Sequence, residues 1–195
     1  MSKTRVLIKK AWDLRDARKI EACKEIQSRL RQTAGLSPQE EIELRLLTVS
    51  TLRADDDLAK GQTLLDEVSR LADDIGESLP FQFYFQKALN CLFVGQLTTA
   101  LEFFIKSKDR AVDTGDKQKA LVNILLCLEN LGLAADGTLV ELERLARDNR
   151  DKQVKGRIQK IVETYQQRQS FRNGQITAVY AAKADESEFQ QMEYY

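Results

Sequence analysis

Residues 83–114 read FYFQKALNCLFVGQLTTALEFFIKSKDRAVDT. An apolar run with a small residue at Ala88 stops at Gly95, a turn glycine, and a second apolar run follows with small residues at Ala100 and Ala111. That pattern predicts a helical hairpin. Its first helix opens near Pro80, and its second starts near Thr98 and ends at Gly115. The same unit recurs on both sides, at intervals of about 38 to 42 residues. Ile20, Leu58, Leu97 and Leu139 mark equivalent points. Three residues after each stand Cys23, Gly61, Ala100 and Leu142, and six after each stand Ile26, Leu64, Phe103 and Leu145. Fourteen after the first three stand Ala34, Ala72 and Ala111, and eighteen after the second and third stand Gly76 and Gly115. A fixed period of this size is the mark of an α-solenoid, whose units bury their apolar faces only against neighbours.

The rest of the chain fits that frame. In residues 3–34, Leu7, Ala11 and Leu14 line one helix, and Ile20, Cys23, Ile26 and Leu30 line the next. Ser37-Pro38-Gln39-Glu40 is a strong helix start, with a serine cap, proline at the first helical position and a glutamate three residues after the cap. Leu44, Leu47 and Leu52 follow. Asp55-Asp56-Asp57 then breaks the pattern and puts negative charge at the next helix N-terminus. That helix runs to Ile75 and stops at Gly76. The fourth unit begins at Asp116 and runs to about Gly132. Asp136-Gly137 marks a turn, and Thr138-Leu139-Val140-Glu141 predicts a second capping box, opening a helix that ends near Asn149. A last amphipathic helix, about 151–170, carries Val154, Ile158, Ile161, Val162 and Tyr165 on one face and seals the open end of the stack. From Phe171 the character changes. Asn173-Gly174 is a turn signal, Ile176 to Tyr180 reads as a short strand, and the end is acidic and aromatic. A hairpin and an extended docked segment both fit this tail.

Composition removes several function classes. The chain has 195 residues, two prolines, nine glycines and no histidine. Without histidine, Ser-His and Cys-His nucleophile systems cannot be built, and the commonest general base and metal ligand are missing. There is no glycine-rich phosphate loop. Cys23, Cys91 and Cys127 are far apart, form no CxxC pair and sit in apolar patterns, so they are expected as buried thiols. No catalytic residues, metal ligands or cofactor are expected, and the chain is expected not to be an enzyme. No window approaches 18 uncharged apolar residues, and the N-terminus lacks a signal-peptide pattern, so a cytoplasmic location away from membranes is expected.

The stretch 83–114 resembles a tetratricopeptide repeat. Ala88 matches the small residue of its first helix, Gly95 its turn, Ala100 the small residue of its second helix, and Ala111 its later alanine. ALVNILLCLENLG, residues 120–132, looks similar in its first helix. Ala11 with Cys23, and Val49 with Gly61, match the small sites more loosely. The period exceeds the 34 residues usual for that repeat, and its closing proline is missing. Both features bring the chain nearer the irregular repeats of bacterial regulatory and adaptor proteins. The resemblance covers about 145 residues. It implies an all-α, right-handed solenoid of about four antiparallel hairpins over residues 1–170, with a capping helix, and a tail at 171–195.

The resemblance also implies that the first helix of each hairpin lines a concave groove. That assigns Arg5, Ile8, Lys9, Trp12 and Arg15 to the groove in the first unit, and Glu43, Leu46 and Ser50 in the second. Gln82, Phe85, Gln86 and Leu89 follow in the third, and Asn123 in the fourth. Arg5, Lys9 and Trp12 form a strip at i, i+4 and i+7, suited to a carboxylate or an acidic-aromatic peptide. The competing role for Trp12 is packing under the first hairpin. Seven of the fourteen aromatics lie between 81 and 104. Four of them, at 81, 83, 84 and 85, cannot share one helix face, so at least one is expected to face the groove or a partner, with Tyr84, Phe103 and Phe104 in the core.

Zero net charge hides segregation. Residues 1–33 hold ten basic and four acidic residues, net +6; residues 34–79 hold four and eleven, net −7; residues 149–172 hold seven and two, net +5. Such polarity steers an oppositely charged partner or favours self-association into a homo-oligomer. Arg150, Lys152, Lys155, Arg157 and Lys160 are best read as a solvated face, and a chain without net basic charge argues against nucleic acid. The expected job is a protein-interaction adaptor or scaffold that holds a peptide or partner helix. The alternatives are a peptide- or ligand-sensing regulatory domain and a self-assembling structural protein.

Overall fold

A computed structural model describes residues 2–33, 35–149 and 151–172 of the chain. Among the described residues every regular element is an α-helix. In order these are α1 (Lys3–Asp16), α2 (Ile20–Arg31), α3 (Pro38–Ala54), α4 (Leu58–Asp74), α5 (Phe81–Phe93), α6 (Leu97–Arg110), α7 (Thr114–Leu131), α8 (Asp136–Asp148) and α9 (Lys152–Arg172). The backbone groups into two compact units, Met1–Phe103 and Phe104–Tyr195, divided within α6.

The periodic landmarks coincide with helix starts. Ile20, Leu58 and Leu97 open α2, α4 and α6, and Leu139 is the fourth residue of α8. The local chemistry explains why. Ser37 caps α3 through a full capping box: its hydroxyl accepts from the Glu40 N–H, and Glu40 accepts from the Ser37 N–H. Asp57 caps α4 by accepting from the Lys60 N–H. Gly76 and Gly132, at φ +67° and +68°, take the left-handed conformation that ends α4 and α7.

Three boundaries differ from the sequence-based expectation. α6 ends at Arg110, not Gly115, because Asp113 accepts from the Asp116 N–H at 2.8 Å and starts a new helix that contains Gly115. Asp136 and Gly137 form the first turn of α8 rather than a loop turn, and Ala135 precedes them without a side-chain cap. The expected box at Thr138 does not form, since Thr138 already lies in the first turn of α8, and Glu141 pairs with Lys108 and Lys117. The expected turn at Asn173-Gly174 and strand at 176–180 lie outside the described residues.

In unit 1, α1 packs on α2 and α3, and α3 packs on α2, α4 and α5. One core gathers Ile8, Ala11, Cys23, Ile26, Leu30, Leu44 and Leu47. A second gathers Ile42, Leu46, Val49, Leu65, Val68, Ala72 and Phe83. Helix α3 feeds both. Its apolar residues therefore spread around the helix instead of forming one stripe. In unit 2, α8 packs on α7 and α9. Leu121, Leu125, Leu142, Leu145, Ile158, Ile161, Val162 and Tyr165 make its core. This is the apolar face expected for the last helix. Cys23, Cys91 and Cys127 are buried free thiols, as their apolar settings predicted. Burial pushes the Cys127 thiol up to about 12.

Candidate functional site

Helix α1 presents the cationic strip. Arg5 and Lys9 are exposed. The Lys9 ammonium meets Asp13 at 3.1 Å, with both side chains about two-thirds exposed, so the pair contributes little. Arg5 acts on the acids of α3. Burial pushes the Glu43 carboxyl up, and the Arg5 charge partly offsets this. The Ser2 hydroxyl donates to Glu40 at 2.7 Å and ties the start of α1 to α3. Trp12 is half-buried and packs against both cores of unit 1. It therefore links the first hairpin to the second. Arg15 is mostly covered and pairs with Asp16 at 3.1 Å.

The remaining groove candidates divide by burial. Gln82 and Glu43 are half-buried. Ile8, Leu46, Phe85, Gln86 and Leu89 are 1–2% exposed, Ser50 3%, and Asn123 not at all. Those seven side chains point into the protein as it stands and are not available to a partner. Their burial has a common cause in unit 1: α3 and α5 are covered on more than one side, so an i, i+4 stripe opposite one core meets another helix. The aromatic cluster behaves the same way. Phe81 and Phe85 share a face and stack at 5.2 Å, while Phe83 lies on another face, edge-on to Tyr84. All three phenylalanines are buried, and Phe93 is the aromatic of this cluster left substantially exposed, at 38%.

One constellation was not anticipated. Arg53, at the end of α3, is 8% exposed. Its guanidinium donates to the Gln86 Oε1 at 2.5 Å and to the Asn90 Oδ1 at 3.3 Å, both on α5. The Phe93 ring centre lies 5.8 Å away. Burial, and then the charge of Arg15, push this guanidinium down to about 9. Gly61 makes room for the cluster, since a Cβ there would lie 3.1 Å from the Asn90 Nδ2. The signal in the sequence was spacing. Arg53 follows Leu46 by seven and Val49 by four, on the buried face, and Asn90 follows Gln86 by four.

A groove of about 750 Å³ opens elsewhere in unit 1, lined by Arg31, Leu36, Leu44, Arg45, Leu64 and Glu67 among others. Arg45 bridges Glu41 and Glu67 along it. In unit 2, Lys152, Arg157 and Lys160 are exposed on α9 while Ile158, Ile161 and Val162 face the core. Among the described residues no three potential metal ligands gather, and no helix is long and apolar enough to cross a membrane. In comparison with known proteins, no family model and no curated protein matches the chain.

Proposed function

We propose that the chain is a non-catalytic adaptor of tetratricopeptide-like hairpins that binds an acidic segment of another protein on the α1 side of unit 1, in the cytoplasm. The observation that carries this is the face of α1, where Arg5 and Lys9 stand exposed on a segment of net charge +6. Stacked hairpins are supported within unit 1 by the succession of first helices, α1 on α3 and α3 on α5, and the right-handed winding proposed for them follows from the tetratricopeptide resemblance. Rigid helices offer the strip without reorganisation, which favours affinity, and the cations favour fast encounter with an acidic partner.

The test is capture from lysate with the full chain and with the double charge reversal Arg5→Glu, Lys9→Glu. Trp12 is left intact because its removal would loosen both cores. A partner held by wild type and lost by the folded variant supports the proposal, and one retained equally by both sinks it. A second proposal, a ligand-sensing domain, is favoured by the 750 Å³ groove, a size within the roughly 300–1,000 Å³ of small-molecule sites. Capture of no partner, together with a small molecule that raises the melting temperature, would favour it.

A further inference from the structure

We propose that the Arg53 cluster of unit 1 is a receptor for a carboxylate, which the spare N–H groups of the Arg53 guanidinium grip from the side of Phe93. This deepens the adaptor proposal by naming the group an acidic partner inserts, and it rests on that proposal only for where the carboxylate comes from.

A guanidinium carries five N–H donors. Two hydrogen bonds hold Arg53, and both acceptors are neutral amides, Gln86 and Asn90. Among the described residues no carboxylate lies within ion-pairing distance of it, although the chain carries 30 acidic side chains. A charge 92% covered is ordinarily paired with an opposite charge. The charge nearest in effect is instead a second cation, Arg15, whose own counter-ion Asp16 is engaged. Among the described residues the site is thus short of one negative charge.

The neighbours fix the geometry of the missing group. Gln86 and Asn90 are 1% and 5% exposed, so they lock the guanidinium plane through buried contacts. A locked planar fork favours a bidentate oxyanion, and a carboxylate matches it. The Asn90 Nδ2 has no hydrogen-bond partner. It leaves one more donor unused in the same cluster. Arg53 keeps 8% of its surface exposed, and the Phe93 ring, itself 38% exposed, lies 5.8 Å from its guanidinium. An aromatic ring beside the guanidinium lowers the local dielectric and strengthens an ion pair formed there.

The test compares the full chain with two variants. Asn90→Asp builds a counter-ion into the cluster at nearly constant shape, and Arg53→Gln removes the cation. Thermal melts are run in sodium acetate, in a capped polyglutamate peptide, and in sodium chloride at matched ionic strength. The expected result is a rise of about 2–4 °C for wild type in carboxylate over chloride. Asn90→Asp should melt higher than wild type in chloride and show no further rise. A response to the peptide at far lower carboxylate concentration than acetate assigns the source to a polypeptide, and equal responses assign it to a small free carboxylate. No carboxylate-specific rise in wild type, or the same rise in Asn90→Asp, overturns the proposal, even where Arg53→Gln fails to fold. Loss of capture in the Arg5 and Lys9 variant alongside an unresponsive Arg53 cluster would leave the adaptor proposal standing and end this one.

Discussion

Glu141 shows what a single residue does to a sequence-level motif. The pattern Thr138 to Glu141 has the letters of a capping box, yet the carboxylate instead lies 3.1 Å from the Lys108 ammonium and 2.8 Å from that of Lys117. Thr138 lies inside α8 with no helix start to cap, and the two cations that hold Glu141 stand on other helices, where no local pattern reports them. Burial raises the Glu141 carboxyl, but the hydrogen bonds from Lys117 and Lys108 outweigh it and hold the group below its usual value. A depressed carboxylate contributes stability above its unfolded-state value and loses it as pH falls through the folded one. Glu141→Gln should therefore be less stable than wild type at pH 7. The gap should close as pH falls from about 5 toward 3, as read by urea denaturation. A gap that stays constant across that range would show that the two lysines do not act through the charge. Arg53 makes the complementary point. Its period with Leu46 and Val49 is that of an inward-facing residue, but a charged residue in the last turn of a helix is ordinarily solvated, so spacing and residue type point in opposite directions there.

Among the elements, capping chemistry was legible where it is local. Ser37 to Glu40 and Asp57 are satisfied within four residues, so the starts of α3 and α4 could be read directly. Ser37→Ala should cost about 1 kcal/mol of stability. Thr138→Ala should stay within roughly 0.5 kcal/mol of wild type, because Thr138 lies inside α8 and caps nothing. Equal losses by chemical denaturation would contradict the assigned start of α8. The boundary between α6 and α7 was not legible. Gly115 has the look of a helix stop, whereas Asp113 two residues earlier is the cap that decides the matter. The groove candidates on α5 that are buried are covered for a different reason. A helix packed on one side keeps an outward stripe, but α5 meets both α3 and α4. Phe85, Gln86 and Leu89 are buried by neighbours that no periodicity within α5 describes.

For the whole molecule, each of the two units has its own apolar clusters. Leu47 and Leu142 are fully buried in units 1 and 2. Leu47→Ala and Leu142→Ala should each cost about 2–5 kcal/mol. Residue-resolved hydrogen exchange should show the loss of protection concentrated in the unit that carries the change, and uniform loss across the chain would show one cooperative body. The repeat period was legible at this scale because hairpin length is a property of the chain alone, whereas the division within α6 depends on contacts far apart in sequence. The proposed function turns on which basic segment would meet a partner, since residues 1–33 and 149–172 carry net charges of +6 and +5. The most direct measurement is an NMR titration of the isotope-labelled chain with a capped polyglutamate peptide. The account predicts shifts at Arg5 and Lys9 on α1 and at Arg53 and Asn90, with α9 unaffected. Shifts confined to Lys152, Arg157 and Lys160 on α9, or none on α1, would contradict it.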